Sequence, residues 1–117
     1  MISSCLMDCL TDFQNNLKSW LNYNFPDSTS DAQLKGVMEE LGELCHADLK
    51  TEQNIRGYTE EKGKAEIEDA VGDIFIYLIN YCNRKQISFC DCVNTAYCEI
   101  MKRDWQNNPE NGETNVD

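Results

Sequence analysis

The stretch from Glu66 to Arg84 constrains the fold more than any other part of the chain. Glu66, Asp69, Asp73, Tyr77, Asn80 and Arg84 recur at three- and four-residue steps. At 100° per residue they all fall within about 60° of Glu66 on a helical wheel. The opposite face carries Ile67, Val71, Ile74, Phe75, Leu78 and Cys82. A strand would scatter both sets over two faces, so the pattern demands a helix. With Ile, Phe and Leu through its middle, that helix is expected to be largely buried. It nevertheless keeps one continuous stripe of carboxylates followed by an amide. Buried carboxylates are costly unless a cation or a proton compensates them.

Three further segments have helical periodicity. In about residues 4–23, Leu6, Leu10, Phe13, Leu17, Trp20 and Leu21 form one stripe, ending before Pro26. In about 31–51, the stripe is Leu34, Val37, Met38, Leu41, Leu44 and Cys45. Ser30 and Gln33 have capping-box spacing at its start. A polar loop, Thr51 to Lys64, holds Gly57 and Gly63 as breakers before the helix of about 65–84. The last helix is expected from Ser88 to about Trp105. Ser88 caps it with Asp91 three residues on, Ile87 staples onto Cys92, and Val93, Ala96, Tyr97 and Ile100 are buried. No segment alternates as a strand does. The expected architecture is all-α: a compact four-helix bundle without a sheet, formed as one domain from residues 1–107. Residues 108–117 form a polar, flexible tail.

The chain has 117 residues, enough for one domain and one real core. Its 21 Asp and Glu outweigh 10 Lys and Arg, for a net charge of -11. A nucleic-acid polymer or an anionic membrane surface needs a basic footprint, so neither is an expected partner. Asp8 and Asp12 interrupt the apolar residues of the N-terminus, which lacks the basic start of a secretory signal. The longest apolar candidate, Val71 to Cys82, contains Asp73 and Asn80 and is too short to span a membrane. The seven cysteines are odd in number and include no C-x-x-C. Cys45, Cys82 and Cys92 are expected as small core residues in a reducing cytoplasm, and the set fits neither a disulfide framework nor a standard zinc site.

The second helix carries Glu39-Glu40-Leu41-Gly42-Glu43. Glu40 and Glu43 lie about 60° apart on its surface, where like charges repel unless a cation lies between them. Gly42 and Gly72 each sit beside a carboxylate. A glycine costs about 1 kcal/mol in a helix interior, so they suggest close helix approach, bringing Glu40 and Glu43 to Asp69 and Asp73. An all-oxygen set selects a hard cation, Mg²⁺ with Mn²⁺ as substitute, and metal-assisted phosphoanhydride hydrolysis.

These motifs resemble those of the MazG-like members of the all-α nucleoside triphosphate pyrophosphohydrolases, a superfamily that includes the dimeric dUTPases and phosphoribosyl-ATP pyrophosphohydrolase. The family pattern is E-E-x-x-E on one helix and E-x-x-D on the next. Here Glu39-Glu40-Leu41-Gly42-Glu43 matches the first, and the second lies within Glu66 to Asp73. Gly42 to Lys50, Asp69 to Ile74 and Lys102-Arg103-Asp104-Trp105 add flanking likeness, so that the resemblance spans about residues 28–105. The chain departs from the pattern at Ala70, three residues before Asp73, where the family has a glutamate. Asp69 is the replacement on the same face, and Glu66 with Asp69 also satisfies E-x-x-D one turn earlier.

The resemblance implies hydrolysis of a (d)NTP to the (d)NMP and pyrophosphate. Glu40, Glu43, Asp69 and Asp73 are the expected metal ligands, with Glu66 and Glu39 as outer candidates. Glu43 or Glu40 is the expected base for the attacking water. Lys50, Lys102 and Arg103 are candidate phosphate contacts, and Asn80 is a candidate ribose or base contact. Tyr77 and Trp105 offer rings for a base, while His46 is structural or peripheral. The resemblance also implies a homotetramer built from dimers, with a homodimer next. Two other functions fit parts of the sequence. Glu43-Leu44-Cys45-His46 is an E-x-x-H pair of the di-iron carboxylate bundles, although His46 is the chain's one histidine. A non-catalytic helical adaptor is the other.

Overall fold

A computed structural model describes residues 1–114. Four α-helices make up its regular structure: α1 (Ser4–Asn24), α2 (Ser30–Gln53), α3 (Glu60–Lys85) and α4 (Phe89–Met101). No strand occurs among the described residues, so the protein is all-α as its periodicity requires.

Each helix starts on a hydroxyl cap. The side chains of Ser3, Thr29, Thr59 and Ser88 accept from the backbone N–H groups of Leu6, Ala32, Lys62 and Asp91. Each bond satisfies one of the orphan donors of a first turn. The cap of α2 is Thr29, one residue before the expected Ser30. Gln33 turns back to donate to the Ser28 hydroxyl at 2.8 Å instead. α3 begins five residues earlier than its apolar stripe predicts and contains Gly63. That glycine is no breaker: a Cβ there would collide with the side chain of Thr51 on α2. Helix propensity is sacrificed at Gly63 for close packing. α4 ends at Met101 instead of about Trp105. The chain then folds into turns held by Asp104 N–H to Gly112 O at 2.9 Å and Gly112 N–H to Asn108 O at 2.7 Å. Positions 115–117 of the polar tail lie outside the described residues.

α2 and α3 form a long antiparallel hairpin, and α1 lies across α3 with α4 beside it. Two close approaches fix the hairpin's register. Gly36 lies against the ring of Tyr77 near one end, and Thr51 lies against Gly63 near the other. Between those points the register places Glu40 opposite Asp73.

Buried polar groups attach the other elements. Gln14 on α1 donates to Ile87 O at 2.9 Å and accepts from Phe89 N–H at 2.8 Å, tying α1 to the turn between α3 and α4. Asn83 donates to Gln14 O at 3.1 Å. Arg84 uses its guanidinium fork on the α1–α2 turn, donating to Ser28 O at 2.6 Å, Asn22 Oδ1 at 2.6 Å and Phe25 O at 3.0 Å. Ile79, Cys82 and Phe89 form the apolar centre beside them. Phe75 meets Phe89 edge to face at 5.1 Å between centroids.

Candidate metal centre and adjoining cavity

The packed face of α2 bears Gln33, Gly36, Glu40 and Ala47, spaced by three, four and seven residues. This spacing aims Glu40 into the hairpin. The residue is 8% exposed, and its Oε2 has no hydrogen-bond partner. Glu39 and Glu43, from the same helix, flank it at the surface. The three residues offer carboxylate oxygens that all lie within 4.8 Å of one another.

The electrostatics follow from this crowding. Burial, then a shared hydrogen bond with Glu43, then the charges of Glu43, Asp73 and Glu39, push Glu40 up to about 7. Asp73 is also raised, first by burial and then by the charges of Asp69 and Glu43. Two carboxylates sharing a hydrogen bond need a proton between them, or else a cation nearby. The unpartnered Oε2 of Glu40 and the all-oxygen donor set fit a hard divalent ion. Glu39, Glu40 and Glu43 therefore converge, and Asp73, with Asp69 beside it, is near enough for its charge to act on the group.

The route to that convergence differs from the expected one. Gly42 and Gly72 do not bring the helices together, because a Cβ at either position would meet nothing within 4 Å. On the wheel of α2, Gly42 points away from the face that carries Glu40. Gly36 and Gly63 provide the close approach instead.

The remaining candidates fall into different places. Glu66 accepts from the Tyr58 hydroxyl and lies 4.0 Å from Lys62 Nζ, which ties it to the α2–α3 loop. His46 stacks edge-on to Tyr58 at 5.8 Å. Lys50 donates to Gln53 at 3.1 Å in the last turn of α2. Lys102 pairs with Glu99 at 3.2 Å, and Arg103 donates to Asn111 O at 2.9 Å. Lys102 and Arg103 line a separate depression after α4, together with Asp104 and Glu113. Trp105 packs over Gly112 in the same turn.

Asn80 is 2% exposed and accepts from Asn83 Nδ2 at 3.1 Å. It also lines a cavity of about 800 Å³ between α1, α2 and α3. Glu40 and Asp73 form part of the same wall, beside Tyr77 and Ile76. Phe13, Asn16 and Trp20 from α1, Phe25 from the following turn and Gln33 from α2 supply the rest of the aromatic and amide lining. Sequence reasoning missed the contribution of α1. Its signal is Asn16 in the apolar stripe of Phe13, Leu17 and Trp20, where an amide is out of place unless it has a partner.

No protein-family model, curated protein or solved structure matches the chain.

Proposed function

We propose that the protein is a Mg²⁺-dependent nucleoside triphosphate pyrophosphohydrolase of the MazG-like kind, converting a (d)NTP and water into the (d)NMP and pyrophosphate. One observation carries the reading. The buried, unpartnered carboxylate of Glu40 belongs at once to an acidic cluster and to the wall of a cavity lined by rings and amides. A surface acidic patch needs no such cavity, and an apolar binding pocket needs no such cluster.

Glu40, Glu43 and Asp73 would hold the ion, with Asp69 and Glu39 beside them and Mn²⁺ as a substitute. Bound Mg²⁺ supplies charge neutralisation for the triphosphate and for the departing pyrophosphate. The chain's own residues do the rest. Phe13 and Trp20 offer faces for a base, as stacking is tolerant of base identity. Asn16, Gln33 and Asn80 present amide donors and acceptors that read its edge or the ribose. Such a nucleoside would lie with its phosphates toward Glu40 and Asp73. Glu43, exposed beside Glu40, is the base that orients and deprotonates the attacking water, with Glu40 as the other candidate. In this reading the enzyme works in the cytoplasm, on free nucleotides and as a homo-oligomer. No helix of the described residues is long and apolar enough to cross a membrane.

A panel of natural and modified (d)NTPs with Mg²⁺ tests the proposal. Pyrophosphate should appear from at least one of them and cease with a chelator. It should also fall about 100-fold or more in Glu43→Gln, the scale of a lost general base. Release of single phosphate, or full activity in Glu43→Gln and Asp73→Asn, would refute it.

A further inference from the structure

We infer that Asn83 is a positioning residue that fixes the Asn80 amide as a hydrogen-bond donor to the cavity. The cavity then selects nucleotides whose base carries a carbonyl where a close relative carries an amino group: uracil over cytosine, and guanine over adenine. That selection rests on the nucleotide reading of the site.

The hydrogen bonds leave the two amides one orientation. Asn83 is 8% exposed, and its Nδ2 lies 3.1 Å from the backbone carbonyl of Gln14. A carbonyl can only accept, so the NH2 end of Asn83 must face it. Gln14 is itself held by its bonds to Ile87 O and Phe89 N–H. The same Asn83 Nδ2 lies 3.1 Å from the side chain of Asn80. A second amide facing an NH2 group must offer its oxygen, so Asn80 turns Oδ1 toward Asn83. Exchanging the ends of either amide would set carbonyl against carbonyl or NH2 against NH2. The Asn80 NH2 group therefore points the other way. It has no partner among the described residues, and Asn80, 2% exposed, lines the cavity. A donor set so deeply is satisfied only by what enters that cavity.

Position decides what the donor meets. Asp73 and Asn80 both line the cavity from α3, and seven residues separate them by about 10 Å along the helix axis. Phosphates held at the Asp73 end leave Asn80 to the nucleoside. A sugar hydroxyl turns to suit either end of an amide, so a fixed donor gains no selectivity from one. The bases differ in this respect. Uracil and guanine bear a carbonyl oxygen where cytosine and adenine bear an NH2 group. An amino group against the Asn80 NH2 sets donor against donor and leaves both unpaired, a mismatch that a built polar site rejects strongly.

The test titrates dUMP against dCMP, and dGMP against dAMP, into the full chain with Mg²⁺ by calorimetry. Monophosphates are not turned over, so the affinities do not depend on catalysis. In whichever pair binds, the carbonyl member is expected to be at least about tenfold tighter. Asn80→Ala leaves the bond from Asn83 to Gln14 in place and should bring the two members close to equal affinity. Asn83→Asp has no donor to give. Asn80 should then turn its NH2 group to the new carboxylate and its Oδ1 to the cavity, and the preference should invert. A merely structural Asn83 would weaken both members alike and leave their ratio unchanged. If Asn83→Asp does not fold, the ratios in the wild type and in Asn80→Ala decide. Equal affinities or an amino preference in the wild type overturn the inference. So does the absence of binding by all four, an unchanged ratio in Asn80→Ala, or a folded Asn83→Asp that keeps the wild-type ratio. Pyrophosphate release from (d)NTPs beside any of these results leaves the hydrolase reading standing, and its absence refutes that reading separately.

Discussion

Replacing Glu40 with glutamine should stabilise the metal-free protein above neutral pH. Its carboxyl is raised from 4.5 to about 7, because burial and the charges of Glu43, Asp73 and Glu39 all favour the protonated form. The folded state therefore holds a proton through a window in which the unfolded chain has lost it. The stability this contributes is fully present below pH 4.5 and is lost as pH rises through about 7. The full shift corresponds to at most about 3–4 kcal/mol. Glu39 and Glu43 are exposed and the cavity admits water, so screening lowers the expected loss to about 1–2 kcal/mol. Glutamine keeps the shape and has no charge to lose. In urea denaturation with chelator at one fixed protein concentration, Glu40→Gln should match the wild type near pH 4.5. It should exceed the wild type by about 1–2 kcal/mol at pH 8. Millimolar Mg²⁺ should then stabilise the wild type at pH 8 and leave Glu40→Gln almost unchanged. Parallel pH profiles for the two proteins, or equal responses to Mg²⁺, would show that Glu40 is neither frustrated nor a ligand.

Gln14→Leu strips the partners from Phe89 N–H and Ile87 O and should cost about 2–4 kcal/mol in chemical denaturation. Gly36→Ala drives a methyl group into the Tyr77 ring, and a loss of about 1–3 kcal/mol is expected, with weaker Mg²⁺ binding as Glu40 shifts from Asp73. Gly72→Ala meets open space in a helix interior and should raise stability by about 0.5–1 kcal/mol, a contrast that melting curves of the two variants would display. Trp20→Ala should raise KM for the nucleotide more than it lowers kcat, since a stacking ring binds substrate and transition state alike.

Much of the acidic cluster was legible in the sequence. The three-residue step from Glu40 to Glu43 and the four-residue step from Asp69 to Asp73 already place each pair on one helix face. That Glu66 stands apart was not legible, because Tyr58 claims it from a loop whose path depends on Asn54, Arg56 and Gly57 in left-handed conformations, with Lys62 one turn back on α3 as a second partner. The glycines misled for a related reason. Propensity registers a cost at every helical glycine but not which neighbour repays it, so Gly42 and Gly72 looked like Gly36 and Gly63. Thr29 and Ser30 offer the same hydroxyl, and only the path of the backbone after Pro26 chose between them.

By itself the sequence determined four helices and the faces on which their carboxylates lie. These are properties of spacing and composition, set within a few turns of one segment. Only the tertiary structure decided that Glu40 is the buried member of its cluster, that Asp73 stands opposite it, and that α1 closes a cavity over both. Those results depend on contacts between residues far apart in the chain: Gly36 with Tyr77, Thr51 with Gly63, and Gln14 with the turn before α4. Helical periodicity states which way a side chain points from its own axis. The face of a neighbouring helix that it meets is settled by steric fit across the interface.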